Sequence, residues 1–450
     1  MMARQDQVLP TVLPDERLEK LFTDFKPAYD EFEAVEEANR CINCYEAPCI
    51  RSCPTAINIP QFIRRIASGN VRGAARTILE SNILGLSCAQ ACPVEVLCVG
   101  ACVYNNLNKK PIAIGKLQRY AVEQAYDRDW QYFQPGRATG KKVALIGSGP
   151  ASLACAHELR LKGHETVVFE REAVPGGLNT SGIAPYKMKA EVSMREVDRI
   201  ARMGVRFEYS QELGRNLSLE KLLGEYDAVF LGMGLGEDSQ LEMPGGTSPG
   251  VHGAVDFISR IKLARAGSLS EIKNSRCVLV VGGGNTALDA CRELKGLGIP
   301  QVIVSYRRDE GSMSGYSHEY KAALQEGVEF WFHTVPTQIE KVDGRLRIKL
   351  QTTSQTSDGK LKNLDGFRTL EADLVLAATG QAKLERLFSE IKGLTFDKGK
   401  LKANTDTGQT SHPKIFAAGD LVNGGKEVVN AVAEGKRAAG GIHTLLSKGA

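Results

Sequence analysis

The chain has 450 residues, with 57 basic and 53 acidic side chains and a formal net charge of +4. This length predicts two or three domains, and the near balance of charge argues against a nucleic-acid-binding surface. The N-terminus lacks the apolar core of a signal peptide, and no run of about 18 apolar residues occurs, so we expect a cytoplasmic protein that does not span or bind a membrane.

The first 138 residues combine a helical pattern with most of the cysteines. Their apolar residues recur at helical spacing, without strand-like alternation. Because the cytoplasm keeps thiols reduced, a dense cysteine cluster indicates metal or cofactor ligation rather than disulfides. We therefore predict an all-helical metal-binding domain over residues 1–138. Eight of the eleven cysteines lie in it: Cys41, Cys44, Cys49, Cys53, Cys88, Cys92, Cys98 and Cys102.

The spacing of these cysteines favours two 4Fe–4S clusters. The pattern is C-x2-C-x4-C-x3-C-P, followed by C-x3-C-P-x4-C-x3-C. Short spacings that end in Cys-Pro are typical of bacterial ferredoxins, although the middle spacing here is longer. Two structural zinc sites of four cysteines each satisfy the same count and are the alternative.

A glycine-rich turn between a strand and a helix follows a Pro- and Gly-containing linker. Its glycines permit a tight turn and the approach of a pyrophosphate to the helix N-terminus, and Ser152 is a small substitute for the third glycine. Glu170 ends the next strand, 23 positions after Gly147, where a carboxylate accepts hydrogen bonds from ribose hydroxyls. This register predicts a dinucleotide site, with an ordinary glycine turn as the alternative. The turn consists of Gly147, Ser148, Gly149, Pro150, Ala151 and Ser152.

Two later segments favour FAD as the ligand of this first turn. A Pro-Gly-Gly-Leu stretch containing Gly177 and Leu178 follows Glu170 and Arg171, and Gly419-Asp420 follows an apolar strand near the C-terminus.

A second glycine turn lies between the strand CVLVV and the helix TALDACRELKGLG. The next strand ends in Arg307-Arg308, and two guanidiniums at this position suit a 2′-phosphate, which favours NADPH over NADH. A solvated strand end is the alternative reading. The predicted NAD(P)H-binding residues are Gly282, Gly284, Asn285, Thr286, Ala287, Arg307 and Arg308, with Ala378, Thr379 and Gly380 where the two nucleotide domains meet.

These patterns predict an α/β fold in which an N-terminal all-helical iron–sulfur domain precedes two Rossmann-like domains, the second inserted in the first. The predicted boundaries are 139–250 and 367–450 for the FAD-binding domain and 251–366 for the NAD(P)H-binding domain. The polar stretch 352–367 is expected to be a hairpin tip. Outside the first domain no C-x-x-C pair occurs, so a disulfide-based reductase mechanism is disfavoured and the cysteine-rich domain is the expected exit for electrons. Clusters suit that role because they turn a two-electron carrier into one-electron steps, whereas zinc has no role beside a flavin.

With these parts in order, the chain resembles the flavin-containing electron-input module shared by glutamate synthase small subunits and dihydropyrimidine dehydrogenases. The segments APCIRSCPTAINIPQFI, GLSCAQACPVEVLCVGAC and PIAIGKLQRYA carry the resemblance, which covers about residues 30 to 445. It implies that Asp420 holds FAD, that Lys187 replaces a flavin-contacting Arg, and that Cys88 binds no iron. It also implies the cluster ligands: Cys41, Cys44, Cys49 and Cys102 for cluster one, and Cys53, Cys92, Cys98 and Gln118 for cluster two.

The resemblance further implies an NAD(P)H-oxidising subunit that feeds an FMN-containing partner, in which uracil or thymine is reduced to the 5,6-dihydro form. The stretch Met313–Glu319 favours this bacterial dihydropyrimidine type, whose members use NADH, in conflict with the two arginines. The alternatives are the small subunit of an NADPH-dependent glutamate synthase and, from another class, a zinc-stabilised nucleotide-binding regulatory scaffold. We expect a hetero-oligomer and no essential proton-transfer catalyst, since positioning and flavin electrostatics suffice for hydride transfer.

Overall fold

A computed structural model describes residues 13–356, 359–388, 391 and 393–448. In the described part of the chain no helix is long and apolar enough to cross a membrane.

The helices are Glu31–Asn39 (α1), Pro48–Arg51 (α2), Ile59–Ala67 (α3), Val71–Ser81 (α4), Gly85–Ala91 (α5), Ile114–Asp127 (α6), Pro150–Leu161 (α7), Leu178–Ser181 (α8), Ala190–Ala201 (α9), Leu219–Glu225 (α10), Ala254–Leu263 (α11), Ser270–Asn274 (α12), Asn285–Gly296 (α13), Ser317–Gln325 (α14), Asp420–Asn423 (α15) and Val428–Ser447 (α16). Short 3-10 turns cover Leu18–Leu21, Val94–Val96, Val103–Leu107, Ala266–Leu269, Glu310–Ser312 and Glu385–Phe388. The strands are Lys142–Ile146 (β1), Glu165–Phe169 (β2), Arg206–Glu208 (β3), Ala228–Leu231 (β4), Val251–Gly253 (β5), Cys277–Val281 (β6), Gln301–Tyr306 (β7), Glu329–Phe332 (β8), Thr334–Val342 (β9), Arg345–Gln355 (β10), Leu361–Ala372 (β11), Leu374–Ala377 (β12), Phe396–Asp397 (β13), Lys400–Leu401 (β14) and Ile415–Ala417 (β15).

Helices α1 to α6 form a helical domain with its own apolar core. Helix α1 begins with a capping box, in which the Asp30 carboxylate accepts from the Glu33 backbone N–H and the Glu33 carboxylate accepts from the Asp30 N–H. Such reciprocal caps satisfy N–H groups that have no partner inside the helix. Helix α3 buries Ile59, Phe62 and Ile66 on one face, as the helical spacing of the sequence predicts.

Two parallel sheets follow, and each carries one glycine turn. The first has the strand order β15-β4-β1-β2-β3 and belongs to what we call the first nucleotide domain. The second has the order β5-β12-β6-β7-β8 and belongs to the second nucleotide domain, which is inserted between β4 and β15. Strand β6 is buried along its whole length, as expected of a sheet covered by helices on both faces. The predicted fold class is confirmed.

The boundary predicted after residue 366 is wrong. Strand β12 pairs in parallel with both β5 and β6, with Val375 opposite Leu279, so it belongs to the second nucleotide domain. Residues 367–372 still belong to β11, in a three-stranded sheet of order β11-β10-β9. The short apolar run of β12 fits either sheet, and only its long-range pairing decides which one it joins.

The hairpin predicted at 352–367 is present, with longer strands than expected. Strand β10 runs to Gln355 and β11 begins at Leu361, antiparallel to it. Residues 357 and 358, within the tip, lie outside the described residues.

The N-terminal segment departs from the predicted division of the chain. Residues 1–138 are expected to form the helical domain, but Leu18 and Phe22 are buried in the core of the second nucleotide domain. The Ala266 backbone N–H donates to the Glu16 carbonyl oxygen, and the Phe22 ring packs closely on Gly296 of α13. The segment therefore packs against the second nucleotide domain before the chain enters the helical domain. Residues 1–12 of that predicted domain lie outside the described residues.

Candidate cofactor sites around a shared cavity

The first glycine turn is held in a shape that only glycine adopts without strain. Gly147 has a φ of +85°, and a Cβ on it would lie 2.8 Å from the Met233 Cα and 2.9 Å from the Gly232 carbonyl oxygen. Helix α7 begins at Pro150, directly after the turn, so its free N–H groups and the positive end of its dipole face the turn. Ser152, at the position of the third glycine, packs against Gly232. The turn thus has the form of a phosphate cradle.

Glu170 is hydrogen-bonded to this turn. Its carboxylate accepts hydrogen bonds from the Ser148 backbone N–H at 2.8 Å, from the Ser148 hydroxyl at 2.5 Å and from the Glu172 N–H at 2.8 Å. An ionised carboxylate has about four acceptor sites, so it can still accept from a ribose hydroxyl. The Ser148 hydroxyl also accepts from the Gly176 N–H, which draws the Pro-Gly-Gly-Leu stretch onto the turn.

Two further predicted FAD residues meet the same turn. Gly177 has a φ of +56°, and a Cβ on it would lie 2.9 Å from the Gly149 Cα. Gly419, with a φ of +75°, donates its N–H to the Glu434 carboxylate at 2.9 Å and precedes Asp420 on α15. Burial raises the pKa of Asp420 above its ordinary value, and Glu434 adds to the shift, although a hydrogen bond from a backbone N–H opposes it.

A cavity of about 1350 Å³ runs between the three domains. It exceeds the roughly 300–1,000 Å³ of a typical small-molecule site and therefore has room for more than one cofactor segment. The first nucleotide domain contributes the glycine turn with Glu170, Arg171, Leu178 and Asp420; the second contributes Asn285, Tyr316 and Glu319; and the helical domain contributes residues 90–93, which include Cys92.

Replacing Glu170 by alanine is expected to weaken FAD retention. The change removes the acceptor for the ribose and leaves the Ser148 N–H without its partner. Hydrogen bonds to charged groups are worth about 1.5–3 kcal/mol, which corresponds to roughly a 10- to 100-fold rise in the Kd for FAD. The measurement is FAD per chain after dialysis, with Glu172→Ala as the control at a neighbouring exposed carboxylate. Full FAD retention by Glu170→Ala would contradict the assignment.

The second glycine turn is equally close-packed. A Cβ on Gly282 would lie 2.4 Å from the Ala378 carbonyl oxygen, and a Cβ on Gly283 would lie 2.4 Å from the Tyr306 ring. The Asn285 side chain accepts from the Tyr316 backbone N–H at 2.9 Å. Thr286 and the buried Ala287 follow in the first turn of α13, and Gly284 precedes them as its N-cap.

The predicted junction residues lie between the two nucleotide domains. Ala378 donates its N–H to the Val281 carbonyl oxygen at the end of β6, and the Gly380 carbonyl oxygen accepts from the Ser239 N–H at 2.9 Å. Ser239 belongs to the connection between β4 and β5, which crosses from one domain to the other. The backbone of residues 378–380 therefore joins the second glycine turn to the domain crossing.

The two arginines at the end of β7 differ in their surroundings. Arg307 is exposed, whereas Arg308 is partly buried, and its Nε has no hydrogen-bond partner among the described residues. The His333 Nδ1 is buried and unpartnered in the same way, and the His333 N–H donates to the Arg308 carbonyl oxygen. A buried donor without a partner costs free energy unless a ligand supplies the acceptor, so this end of β7 fits an anionic group.

Lys187, predicted to contact FAD, lines the cavity but is engaged in an ion pair between domains. Its Nζ lies 2.6 Å from the Asp289 carboxylate and 2.9 Å from the Glu319 carboxylate, both in the second nucleotide domain. Burial alone lowers the pKa of Lys187, but the two carboxylates outweigh it and the pKa is raised. No local sequence pattern marks this contact, because it joins residues more than 100 positions apart.

Replacing Lys187 by methionine is expected to destabilise the docked arrangement of the two nucleotide domains. It leaves Asp289 and Glu319 as buried carboxylates without this cation, and breaking a buried pair costs about 3 kcal/mol. Urea unfolding of the cofactor-free chain measures the loss, with Lys187→Arg as the charge-retaining control. A decrease of less than about 1 kcal/mol in the free energy of unfolding would mean that this ion pair stabilises the chain no more than a surface salt bridge does.

Four cysteines of the helical domain form a first group. Burial, with smaller contributions from the nearby thiols of Cys41 and Cys102, raises the pKa of Cys49 to about 11. Burial also raises the pKa of Cys41, with contributions from Cys44 and Cys102. Cys44 and Cys102 therefore lie near Cys41 and Cys49, and these four are the residues that the resemblance implies as ligands of cluster one.

A second group contains Cys53, Cys92 and Cys98. Burial raises the pKa of Cys98 to about 12, with Cys53 as the next contributor. A hydrogen bond with Cys88 and burial raise the pKa of Cys92, followed by the charges of Cys88, Cys98 and Cys53. The Gln118 amide nitrogen donates to the Gly85 carbonyl oxygen at 2.7 Å, so the amide oxygen is the atom that the predicted ligation would use.

Both groups fit a metal cofactor by the chemistry of their donors. Burial raises the pKa of Cys41, Cys49, Cys92 and Cys98, and a cationic metal centre stabilises such buried thiols as thiolates. In the described residues no three His, Cys, Asp or Glu side chains converge closely enough to hold one metal ion. The remaining cysteines, Cys155, Cys277 and Cys291, are buried.

Two family models match the chain. Residues 17–130 match the model described as dihydropyrimidine dehydrogenase domain II, 4Fe-4S cluster, and residues 141–435 match pyridine nucleotide-disulphide oxidoreductase. The NAD-dependent dihydropyrimidine dehydrogenase subunit PreT of Escherichia coli K12 is 35% identical over 423 residues, which are 94% of this chain and 97% of that protein. The small chain of glutamate synthase [NADPH] of the same organism is 34% identical over 444 residues, 94% of each chain. The chain belongs to the family of these two subunits.

Family membership confirms the resemblance and the predicted class of enzyme. The chain is an NAD(P)H-dependent oxidoreductase of the flavin and iron–sulfur type, with FAD, 4Fe–4S centres and NAD(P)H as its cofactors. The match of the helical domain to a 4Fe-4S model decides against structural zinc. Among solved structures, FprA of Mycobacterium tuberculosis in complex with NADPH superposes with a TM-score of 0.57 at 19% identity, over 68% of this chain and 85% of that one. This likeness supports the fold of the two nucleotide domains.

Proposed function

We propose that this chain is the NAD(P)H-oxidising subunit of a dihydropyrimidine dehydrogenase, whose FMN-containing partner subunit reduces uracil or thymine to the 5,6-dihydro form. The observation that carries the electron-input role is the shared cavity, which the first glycine turn and Cys92 both line. When bound, FAD accepts a hydride from NAD(P)H and the 4Fe–4S clusters carry its electrons singly.

In this scheme the residues of the protein bind the cofactors and orient them. The first glycine turn, Glu170 and Asp420 would hold FAD, and the second glycine turn with Arg308 would hold the nicotinamide nucleotide. The seven cysteines of the two groups and Gln118 would hold the clusters. Cys88 would remain a free thiol.

The stretch Met313–Glu319 supports the dihydropyrimidine reading over the glutamate synthase reading. Tyr316 in this stretch lines the cavity, and its hydroxyl donates to the Glu427 carboxylate at 2.6 Å, across to the first nucleotide domain. The stretch therefore contributes to the cavity between the domains, which Tyr316, His318 and Glu319 line. The small chain of NADPH glutamate synthase is nearly as similar, and the same module feeding a glutamate synthase large subunit is the second candidate.

Purification from the native host with only this chain tagged tests the two readings. A co-purifying FMN-containing chain and uracil-dependent oxidation of NAD(P)H are expected. Co-purification of an amidotransferase, with NAD(P)H oxidation that requires glutamine and 2-oxoglutarate, would replace the proposal by the second candidate. A colourless protein without iron or flavin would overturn both.

The loops that carry cluster one offer a docking surface for the partner. Tyr45, next to Cys44, is completely exposed, and Ile42 and Leu107 are more than half exposed. These loops are neighbours, because the Tyr104 hydroxyl donates to the Arg40 carbonyl oxygen at 2.7 Å and the Arg40 side chain reaches the Lys110 carbonyl oxygen. We define the exit patch as Ile42, Tyr45, Leu107, Lys109 and Lys110.

The exit patch combines exposed apolar side chains with a basic rim, which suits a partner whose own redox centre lies within an apolar face edged by carboxylates. Replacing Tyr45 by alanine is expected to raise the Kd for the partner at least about tenfold, since exposed aromatic residues are frequent hot spots. Surface plasmon resonance with the purified partner measures it. Leu324→Ala, at an exposed leucine of α14, is the control, and equal effects of the two changes would exclude the exit patch.

A further inference from the structure

Helix α5 of the helical domain is capped by a carboxylate from the first nucleotide domain. Glu196 lies on α9, and its side chain is completely buried. One of its oxygens accepts from the backbone N–H groups of Leu86 at 2.9 Å and Ser87 at 3.0 Å, and the other accepts from the Ser87 hydroxyl. The N-cap residue, Leu84, has no side chain able to satisfy these N–H groups, so the cap comes from another domain.

The Ser87 hydroxyl links this cap to the segment that lines the cavity. The Asn179 amide nitrogen donates to the Ser87 hydroxyl at 2.8 Å and to the Ser193 hydroxyl at 3.3 Å. The Thr180 hydroxyl donates to the Ser193 hydroxyl at 2.8 Å. Asn179 and Thr180 both line the cavity beside the first glycine turn, although their side chains are almost completely buried.

Asn179 also has an acceptor to spare. Its Oδ1 is buried and finds no hydrogen-bond partner within the described ranges. A buried acceptor without a partner costs about 1–3 kcal/mol, which a donor on a bound cofactor relieves. Asn179 can therefore contact FAD through its side-chain oxygen, while its side-chain nitrogen is hydrogen-bonded to Ser87 of helix α5.

The far end of α5 leads directly to a predicted cluster ligand. The helix ends at Ala91, and Cys92 follows as its C-cap and lines the same cavity. Gln118, another predicted ligand of cluster two, donates to the carbonyl oxygen of Gly85 at the start of the same helix. A displacement of α5 would therefore shift two predicted ligands of cluster two, Cys92 and Gln118, relative to the first nucleotide domain.

We propose that Glu196, Ser87 and Asn179 form a positioning unit that fixes α5 against the FAD-binding segment and so governs electron transfer from flavin to cluster two. This inference rests on the cofactor placement of the proposed function. NAD(P)H is oxidised by loss of a hydride to FAD, and the two electrons leave the flavin one at a time, each reducing a cluster that passes it on. The unit takes no part in the hydride step. It acts through position alone, because the rate of electron transfer falls steeply with the distance between the two centres.

The surroundings of Glu196 define suitable variants. Burial raises the pKa of its carboxyl to about 7, while the hydrogen bonds from Ser87 and Leu86 and the charge of Arg199 oppose the shift. Glutamine in place of glutamate preserves the shape and an oxygen that accepts from both backbone N–H groups, and its amide can donate to the Ser87 hydroxyl. Glu196→Gln is therefore the conservative control for Glu196→Ala, and Asn179→Ala tests the other end of the unit.

The test uses the full chain, loaded with FAD and iron, in rapid-mixing experiments with NADPH. We expect flavin reduction within about twofold of wild type in Glu196→Ala and Glu196→Gln, whose changed side chain does not line the FAD site. Cluster reduction should be about tenfold slower or more in Glu196→Ala and Asn179→Ala, since a misplacement on the order of 1 Å has effects of this size or larger. Glu196→Gln should restore the wild-type rate.

A second readout does not depend on activity. Hydrogen–deuterium exchange of the cofactor-free chain should show the amides of Leu86 and Ser87 losing protection in Glu196→Ala and keeping it in Glu196→Gln. If Glu196→Ala does not fold, Ser87→Ala carries the same comparison, because the Ser87 hydroxyl joins Glu196 to Asn179.

Unchanged cluster reduction in loaded alanine variants, or an equal slowing of flavin and cluster reduction, would overturn the positioning unit. A wild-type chain that binds neither flavin nor iron would instead overturn the proposed function on which it rests.

Discussion

Replacing Cys53 by serine is expected to remove cluster two, while replacing Cys88 by alanine leaves the iron content unchanged. The charge of Cys53 contributes to the raised pKa of Cys98, whereas Cys88 contacts Cys92 by a hydrogen bond. Iron should fall from about eight to about four atoms per chain in Cys53→Ser, because each 4Fe–4S centre holds four. Iron and sulfide analysis measures this, and partner-linked turnover should fall about 100-fold or more, since transfer beyond the flavin then lacks its first acceptor.

The paired design separates ligation from packing. Cys88 is buried on α5, so its replacement removes a packed side chain without removing a predicted iron ligand. Equal iron loss in Cys88→Ala and Cys53→Ser would reject the ligand set and bring Cys88 into cluster two in place of Gln118. Gln118→Ala completes the series, with iron loss expected as for Cys53→Ser.

Features set by local sterics could be predicted from the sequence. The glycine turns at Gly147 and Gly282 follow directly from strand, turn and helix in register, since a Cβ at either position meets backbone atoms. The position of Glu170 follows from the length of the same unit. The antiparallel pairing of β10 and β11 follows from a polar stretch between two strands.

Features that depend on long-range contacts could not be predicted. Strand β12 is a short apolar run whose partner sheet is decided by pairing with β5 and β6. Leu18 and Phe22 are predicted to belong to the helical domain, yet they are buried in the core of the second nucleotide domain. Within the site, the ion pairs of Lys187 and the cap provided by Glu196 join residues about 100 positions apart, and no local pattern marks such contacts.

The two cysteine groups combine a feature that the sequence predicts with one that it does not. Their spacing indicated metal ligation and a total of eight thiols, but the division into two sets came from the family resemblance. The charge of Cys102 contributes to the raised pKa of both Cys41 and Cys49, so Cys102, which follows the 3-10 turn Val94–Val96, lies near them in the fold. The division into two sets stays a prediction, because the charge of Cys49 also contributes to the raised pKa of Cys98.

Replacing Arg308 by alanine is expected to raise the KM for NADPH about 10- to 100-fold and the KM for NADH less than about threefold, because a charged hydrogen bond to phosphate is worth about 1.5–3 kcal/mol. The partly buried guanidinium with an unpartnered Nε fits a 2′-phosphate, whereas the exposed Arg307 can adjust and should show a smaller effect. Steady-state kinetics with ferricyanide as acceptor measures both constants without a partner subunit.

The control for this change is Arg215→Ala, at an exposed arginine of the first nucleotide domain. Equal effects on NADPH and NADH would mean that Arg308 shapes the end of β7 rather than selecting the nucleotide. The conflict between the two arginines and the NAD-dependent relative of 35% identity would then be resolved in favour of NADH. A selective loss of NADPH would instead separate this chain from that relative in its electron donor, since a 2′-phosphate contact is the physical difference between the two nucleotides.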